Sequence, residues 1–180
     1  MEKELNMANT KNETVVNRAF DLGGKYLTFF LGSEEYALEI LKVVEIVGFI
    51  PPTPIPQTPD FILGLINLRG KILPIMDLRS KFNMTNQEQN EETVIIDVQV
   101  RGVEMGIVVD KVSEVIDIPG DSIEEAPDFG TNLTTDFILG IGKTEKNVKI
   151  LLNIDKVLTK EELKSVEKMA QNTKQEQAAA

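Results

Sequence analysis

The sequence contains no cysteine and no histidine among its 180 residues. Without cysteine there can be no disulfides, zinc–thiolate sites or cysteine nucleophiles. Without histidine, the chain cannot supply a Ser-His-Asp triad, a histidine metal ligand or a phosphoaccepting histidine. These two absences remove much of the usual enzymatic repertoire.

Basic residues are scarce relative to acidic ones. The chain has 19 lysines and arginines against 29 aspartates and glutamates, which gives a formal net charge of -10. This field repels phosphate backbones and anionic lipid surfaces, and the basic residues are scattered singly, so a small-barrel nucleic-acid binder is disfavoured. No apolar run is long enough to span a bilayer. The polar N-terminus does not resemble a secretory signal, so the expected location is the cytoplasm.

One apolar stretch, FILGLINLRGKILPIMDL from Phe61, organises the chain. Residues 65–68 and 71–76 predict the two strands of a hairpin. We expect a type II turn with positive φ at Gly70, which would display Arg69 at the tip. That guanidinium is either a recognition group or a solvated turn charge.

Proline shapes the second strand of this hairpin and the segment before it. Pro74 cannot donate to a ladder, so its strand is predicted to lie at an edge or to be bulged there. Five prolines within residues 51–59 predict a stiff connector rather than an SH3 ligand, because no basic residue flanks them. The hairpin's apolar side chains are assigned to the core: Phe61, Ile62, Leu63, Ile72 and Leu73.

The chain repeats itself. KVVEI at 42–46 matches KVSEV at 111–115, FILG at 61–64 recurs at 137–140, and KIL at 71–73 recurs at 149–151, with offsets of 69, 76 and 78. Three matches in order predict two similar β-units, roughly 26–92 and 93–157, each of about five short strands suited to a small barrel. Neither unit is large enough to be comfortably stable alone, so they should pack together or exchange strands.

The segments outside these units are assigned separately. Residues 1–24 are predicted to be a flexible tail. Thr159 and Glu162 have the spacing of a capping box, which predicts a helix to about Ala170 followed by a frayed end, within a C-terminal segment 159–180.

Candidate chemistry is sparse. Four aspartates at strand ends could bind a divalent cation, which would make the chain a metal-dependent hydrolase. Their spacing forms no recognised metal or phosphate motif, and the alternative is that they are solvated acids at strand ends. Glu45 and Glu114 lie between β-branched residues and are either outward-facing strand residues or contact acids. No pattern for a cofactor is present. The four strand-end aspartates are Asp77, Asp97, Asp110 and Asp155.

Three segments, 29–46, 58–82 and 106–115, together with the NID run that ends at Asp155, resemble the CheW-like family of chemotaxis adaptors. The resemblance covers about residues 25–158. It implies a mainly β fold of two SH3-like five-stranded barrels sharing a core, and no enzymatic activity. It also implies an adaptor that couples chemoreceptors (methyl-accepting chemotaxis proteins) to the histidine kinase CheA in the cytoplasm, recruited to receptor arrays.

The same resemblance suggests which residues make contact. It places the NLRG residues and part of the preceding strand on the receptor-contacting side, gives the glycine of FILG a backbone role, and docks the kinase on apolar barrel edges that the sequence does not identify. Carried over by motif, the candidate site residues are Arg69, Asn67, Gly70, Glu45, Val43 and Gly64.

Overall fold

A computed structural model describes residues 22–85, 87–126 and 136–179, with side chains described as far as residue 173. Most of the predicted N-terminal tail and most of the acidic segment 124–132 lie outside these ranges.

The described residues form a mainly β structure with two sheets. The strands, in chain order, are β1 (Gly24–Leu31), β2 (Glu34–Glu39), β3 (Val43–Gly48), β4 (Ile62–Leu68), β5 (Lys71–Asp77), β6 (Val94–Val100), β7 (Val103–Val109), β8 (Lys111–Ile118), β9 (Ile123–Glu124), β10 (Ile138–Lys143) and β11 (Val148–Leu152). One sheet has the order β8-β1-β2-β11-β10-β9, and the other has the order β3-β6-β7-β5-β4. The mainly β fold with few helices agrees with the prediction.

The internal repeat is visible in these strand orders. β3, β6, β7, β5 and β4 of one sheet correspond to β8, β1, β2, β11 and β10 of the other, and in both sheets a hairpin joins the next strand through a parallel pairing. Each sheet takes strands from both of the predicted units, 26–92 and 93–157, because the β1–β2 hairpin lies among strands of the second unit and the β6–β7 hairpin among strands of the first.

One of the three predicted offsets is wrong. Ile62 lies opposite Met76, and Ile138 lies opposite Leu152, so β5 and β11 are related by 76 residues, as β4 and β10 are. The 78-residue match of Lys71 with Lys149 is therefore displaced by two positions along the strand. Because side chains alternate with a period of two, the two lysines nevertheless project from the same face.

Of the two alternatives predicted from Pro74, an edge strand or a bulge, the edge strand is wrong. β5 lies between β4 and β7. Leu65, the partner of Pro74, uses both backbone polar groups on Thr53, at 2.8 and 3.0 Å, so Pro74 needs no hydrogen bond from β4. The parallel ladder with β7 begins only at Ile75, which leaves the missing N–H of proline outside it. The register irregularity lies in β4, between Ile62 and Gly64.

The largest apolar cluster is built from residues of both sheets, and a smaller cluster lies against each sheet. Ile62, Ile72 and Leu73 are buried as predicted, while Phe61 and Leu63 are half-buried against these clusters.

Two α-helices complete the described structure, α1 (Leu78–Lys81) and α2 (Lys160–Ala179). The predicted capping box opens α2, since the Thr159 and Glu162 side chains each accept the other's backbone N–H at 3.2 Å. Val166 is buried in the main cluster, and Lys81 binds Glu162 at 2.6 Å. The helix continues to Ala179, past its predicted end near Ala170. Within the described residues, no helix combines the length and apolarity required to cross a membrane.

Candidate functional site

The β4–β5 hairpin ends in a two-residue turn formed by Arg69 and Gly70. Both residues have positive φ, 54° and 85°, which is the pattern of a type I′ turn and not of the predicted type II. A type I′ turn matches the right-handed twist of paired strands, so a two-residue connection favours it even with arginine in the left-handed region. The Asn67 side chain accepts the Gly70 N–H at 2.8 Å and fixes the turn.

Arg69 is displayed at this tip and is held by Glu45 of β3. The arginine side chain is 72% exposed, whereas that of Glu45 is 25% exposed, and Nη1 lies 2.9 Å from Oε2. β3 and β4 are the two edges of the five-stranded sheet, so the sheet curls far enough for its edge strand and its hairpin tip to form an ion pair. An exposed pair of this kind contributes at most about 1 kcal/mol to stability. Its main effect is on where the guanidinium points.

Glu45 is half-buried and paired with Arg69, so plain outward exposure does not describe it. Burial along β3 alternates without a break, so that Val44 and Ile46 are exposed, at 46% and 42%, on either side of the half-buried acid. Glu114, its counterpart in β8, is exposed. The tip is therefore bordered by a short apolar strip that the sequence pattern did not identify as exposed.

A second group of charges lies beneath the tip. Lys71, the first residue after the turn, forms an ion pair with Glu104 of β7 and lies 3.9 Å from Asp97 of β6. The hydrogen bond with Glu104 raises the pKa of Lys71. Sequence reasoning had no signal for Glu104, because its position follows from the parallel pairing of β5 with β7, which no local pattern encodes.

Gly64 and Val43 support the strands of the site and do not contribute a polar group to it. Gly64 has φ of 140°, and a Cβ there would collide with the backbone carbonyl of Thr53, which bridges to Leu65. Val43 is half-buried against the main apolar cluster. The structure thus brings together Arg69 and Glu45 at the tip, with the turn residues, while Gly64 and Val43 support the strands that carry it.

The four strand-end aspartates do not converge. Asp77 caps α1 by accepting the Arg79 N–H at 3.1 Å, and Asp155 binds Lys42 at 2.7 Å. Asp110 accepts hydrogen bonds from Arg79, at 2.7 Å from Nε, and from the Gly32 N–H. No group of three or more acidic residues among the described residues is arranged to hold a metal ion.

Hydrogen bonds fix the charge of Asp110 and Asp155. Burial acts to raise both pKa values, but Arg79 and the Gly32 N–H outweigh it at Asp110, and Lys42 and the Arg101 N–H outweigh it at Asp155. Both pKa values are therefore lowered, as expected for structural ion pairs.

Comparison with known proteins gives one consistent match. The family model described as "CheW-like domain" matches residues 25–162. The chain is 42% identical over 151 residues to the chemotaxis protein CheW of Klebsiella aerogenes, covering 84% of this chain and 91% of that protein. It is 35% identical to the chemotaxis protein CheW of Bacillus subtilis, covering 79% and 92%.

A solved structure agrees with these sequence matches. The crystal structure of the scaffolding protein TtCheW from Thermoanaerobacter tengcongensis superposes with a TM-score of 0.72 at 38% identity, covering 78% of this chain and 96% of that one. The strand arrangement described above is thus shared with a scaffold of known structure.

Proposed function

The chain belongs to the CheW-like family, and from this membership we propose that it couples chemoreceptors to a CheA-type histidine kinase in chemotaxis signalling. Its role is that of a chemotaxis coupling adaptor and scaffold, which acts through binding and needs no catalysis. We place its action in the cytoplasm, at receptor arrays, with residues 25–158 as the coupling domain. The observation that carries the proposal is the family match over the whole of this domain.

The Arg69 tip is proposed as the receptor-contacting site. Nη1 of Arg69 is engaged by Glu45, and no described residue forms a hydrogen bond with its Nε or Nη2. These exposed donors suit a carboxylate or carbonyl acceptor on the receptor. The flanking Val44 and Ile46 supply an apolar surface that a receptor helix would cover.

The remaining candidate residues support this contact in different ways. Asn67 holds the Gly70 N–H and so sets the turn, and Glu45 aims the guanidinium. Gly64 and Val43 act through the backbone and the core. We therefore propose Arg69 and Glu45 as direct contacts and the other four as positioning residues.

The test is reconstitution of the full chain with a receptor cytoplasmic fragment and a CheA-type kinase. Arg69→Ala is expected to weaken receptor binding by about 1–3 kcal/mol, roughly 5- to 150-fold in Kd, and to reduce kinase activation to match. Kinase binding measured alone should be unchanged, because the tip is assigned to the receptor.

The chain offers a matched control in Arg101. Arg101 and Gly102 form a second two-residue turn in which both residues have positive φ, 48° and 81°, in the β6–β7 hairpin, and Arg101 is also exposed. Arg101→Ala should leave receptor binding unchanged. Equal losses for the two variants, or none for either, would refute the site assignment, and absence of any complex with the kinase would refute the function.

A further inference from the structure

Asp97 is a buried acid without a conventional hydrogen-bond partner. Its side chain is fully buried in β6, and neither carboxylate oxygen accepts a hydrogen bond from any described donor. Lys71 Nζ, at 3.9 Å, is too distant for one. An ionised carboxylate in such a position carries a large desolvation cost, which a bound proton removes.

The internal repeat supplies a residue at the equivalent position whose side-chain hydrogen bonds are all formed. Thr28 is the counterpart of Asp97, 69 residues earlier, and both lie at the register irregularity of an edge strand. The Thr28 hydroxyl donates to the Glu114 carbonyl at 3.0 Å and accepts the Glu114 N–H at 3.1 Å. A hydroxyl both donates and accepts, as a protonated carboxyl group does, whereas an ionised carboxylate only accepts.

The surrounding charges favour a proton on Asp97. If every group were ionised, three acids (Asp97, Glu45 and Glu104) would face two bases (Lys71 and Arg69). One bound proton would balance these charges. In the other sheet Thr28 is neutral, and Glu35, the counterpart of Glu104, is balanced by Lys149 at 2.7 Å. Among the described side chains of α2, Glu167 is the charged group that lines the cavity shared by Lys71 and Glu104, and it is an acid. The charged groups facing Asp97 are Glu45 from β3, Lys71 from β5, Glu104 from β7 and, through Glu45, Arg69 from the turn.

The electrostatic consequences point the same way. Burial raises the pKa of Asp97 to about 7. The carboxyl group of Glu104 adds to this, through its charge and through the hydrogen bond that the two carboxyl groups share once one of them is protonated, while Lys71 opposes the rise and Glu45 reinforces it. Two carboxyl groups can share a hydrogen bond only when one of them carries a proton.

We propose that Asp97 is a positioning residue that holds a proton and that loss of this proton displaces the Glu45–Arg69 pair. Ionised Asp97 repels Glu45 and Glu104 and attracts Lys71, and it adds one negative charge beneath the exposed guanidinium. An acidic acceptor on a partner would then meet a weaker positive field. The binding consequence rests on the proposed function, whereas the proton site does not.

The experiment is a carboxyl ¹³C NMR titration of the full chain between pH 4 and 9, with the Arg69 Nε resonance followed in the same samples. Asp97 is expected to titrate between about pH 6 and 8 and to move the Arg69 signal in the same step. Asp97→Thr, which installs the residue that the first unit has at this position, should abolish the step, and Asp97→Asn serves if the threonine variant does not fold. Asp117→Asn is the control, since this exposed acid pairs with Lys25 on the other sheet.

Binding of a receptor cytoplasmic fragment supplies the second measurement. Wild-type affinity should fall about 3- to 10-fold from pH 6 to pH 8, and the Asp97→Thr profile should be flat. Titration of Asp97 below pH 5, a step that persists in Asp97→Thr, or an unmoved Arg69 signal would overturn the proposal. If the NMR step is present but no fragment binds at any pH, the proton site stands and the proposed function fails.

Discussion

Replacing Gly64 with alanine separates a backbone role from a contact role at the candidate site. A Cβ added at Gly64 would collide with the Thr53 carbonyl, which is backbone and cannot swing away, and φ of 140° is unfavourable for any residue with a side chain. Backbone strain of this kind costs about 1–3 kcal/mol, and the displaced Thr53–Leu65 bridge adds about 1 kcal/mol for each hydrogen bond lost. We expect the free energy of unfolding to fall by about 2–5 kcal/mol.

Two other glycines provide graded controls in urea unfolding of the full chain. Gly140, the counterpart of Gly64, has φ outside the strained region but would bring a Cβ to 2.8 Å from the Glu124 carbonyl, so Gly140→Ala should cost less. Gly48 has open space, and Gly48→Ala should be neutral or stabilising by up to about 1 kcal/mol. A Gly64→Ala variant within about 0.5 kcal/mol of wild type would refute the assignment of a backbone role.

Two further outcomes concern the core helix and the ion pairs. Val166→Ala should lower the free energy of unfolding by about 1–3 kcal/mol because it removes two buried methyl groups from the main cluster, while the exposed Lys164→Ala should stay within about 0.5 kcal/mol in the same urea assay. Asp110 has a lowered pKa, so its contribution is present above the unfolded value of 3.8 and is lost as the pH falls through the folded one. Asp110→Asn should therefore lower the free energy of unfolding at pH 7 by about 1–3 kcal/mol. Between pH 5 and pH 2 the free energy of unfolding of the variant should fall by less than that of the wild type. Equal acid losses in the two proteins would contradict this.

Local sequence patterns were sufficient to identify the hairpin, the repeat and the helix start. The turn dipeptide Arg69-Gly70 lies between two apolar runs, and Thr159 with Glu162 has capping spacing, so each signal sits within a few residues. The display of Arg69 follows from its place in a two-residue turn, whatever the turn type. Only the type was wrong, because the twist of the paired strands selects it.

Features that depend on distant segments were not accessible. The environment of Glu45 is set by its ion pair with Arg69 of the β4–β5 turn, and the alternation of β3 alone does not reveal that contact. Pro74 was assigned to an edge or to a bulge because the sequence does not disclose that Thr53 takes the hydrogen bonds of Leu65. In the sequence Asp97 is one of several acids in strands, and nothing there distinguishes it until its burial beside Lys71 and Glu104 is known.

The exchange of hairpins between the two sheets relates this chain to a domain-swapped dimer and determines what happens when the chain is cut. Each copy of the repeat contains all five strands that a sheet needs, but each sheet is completed by the hairpin of the other copy. Two half-length chains would reach the same arrangement as a domain-swapped dimer, and this chain has the topology of such a dimer joined by a covalent link. A cut near residue 92 therefore leaves neither fragment with a complete sheet, and the two fragments should regain their structure only when mixed.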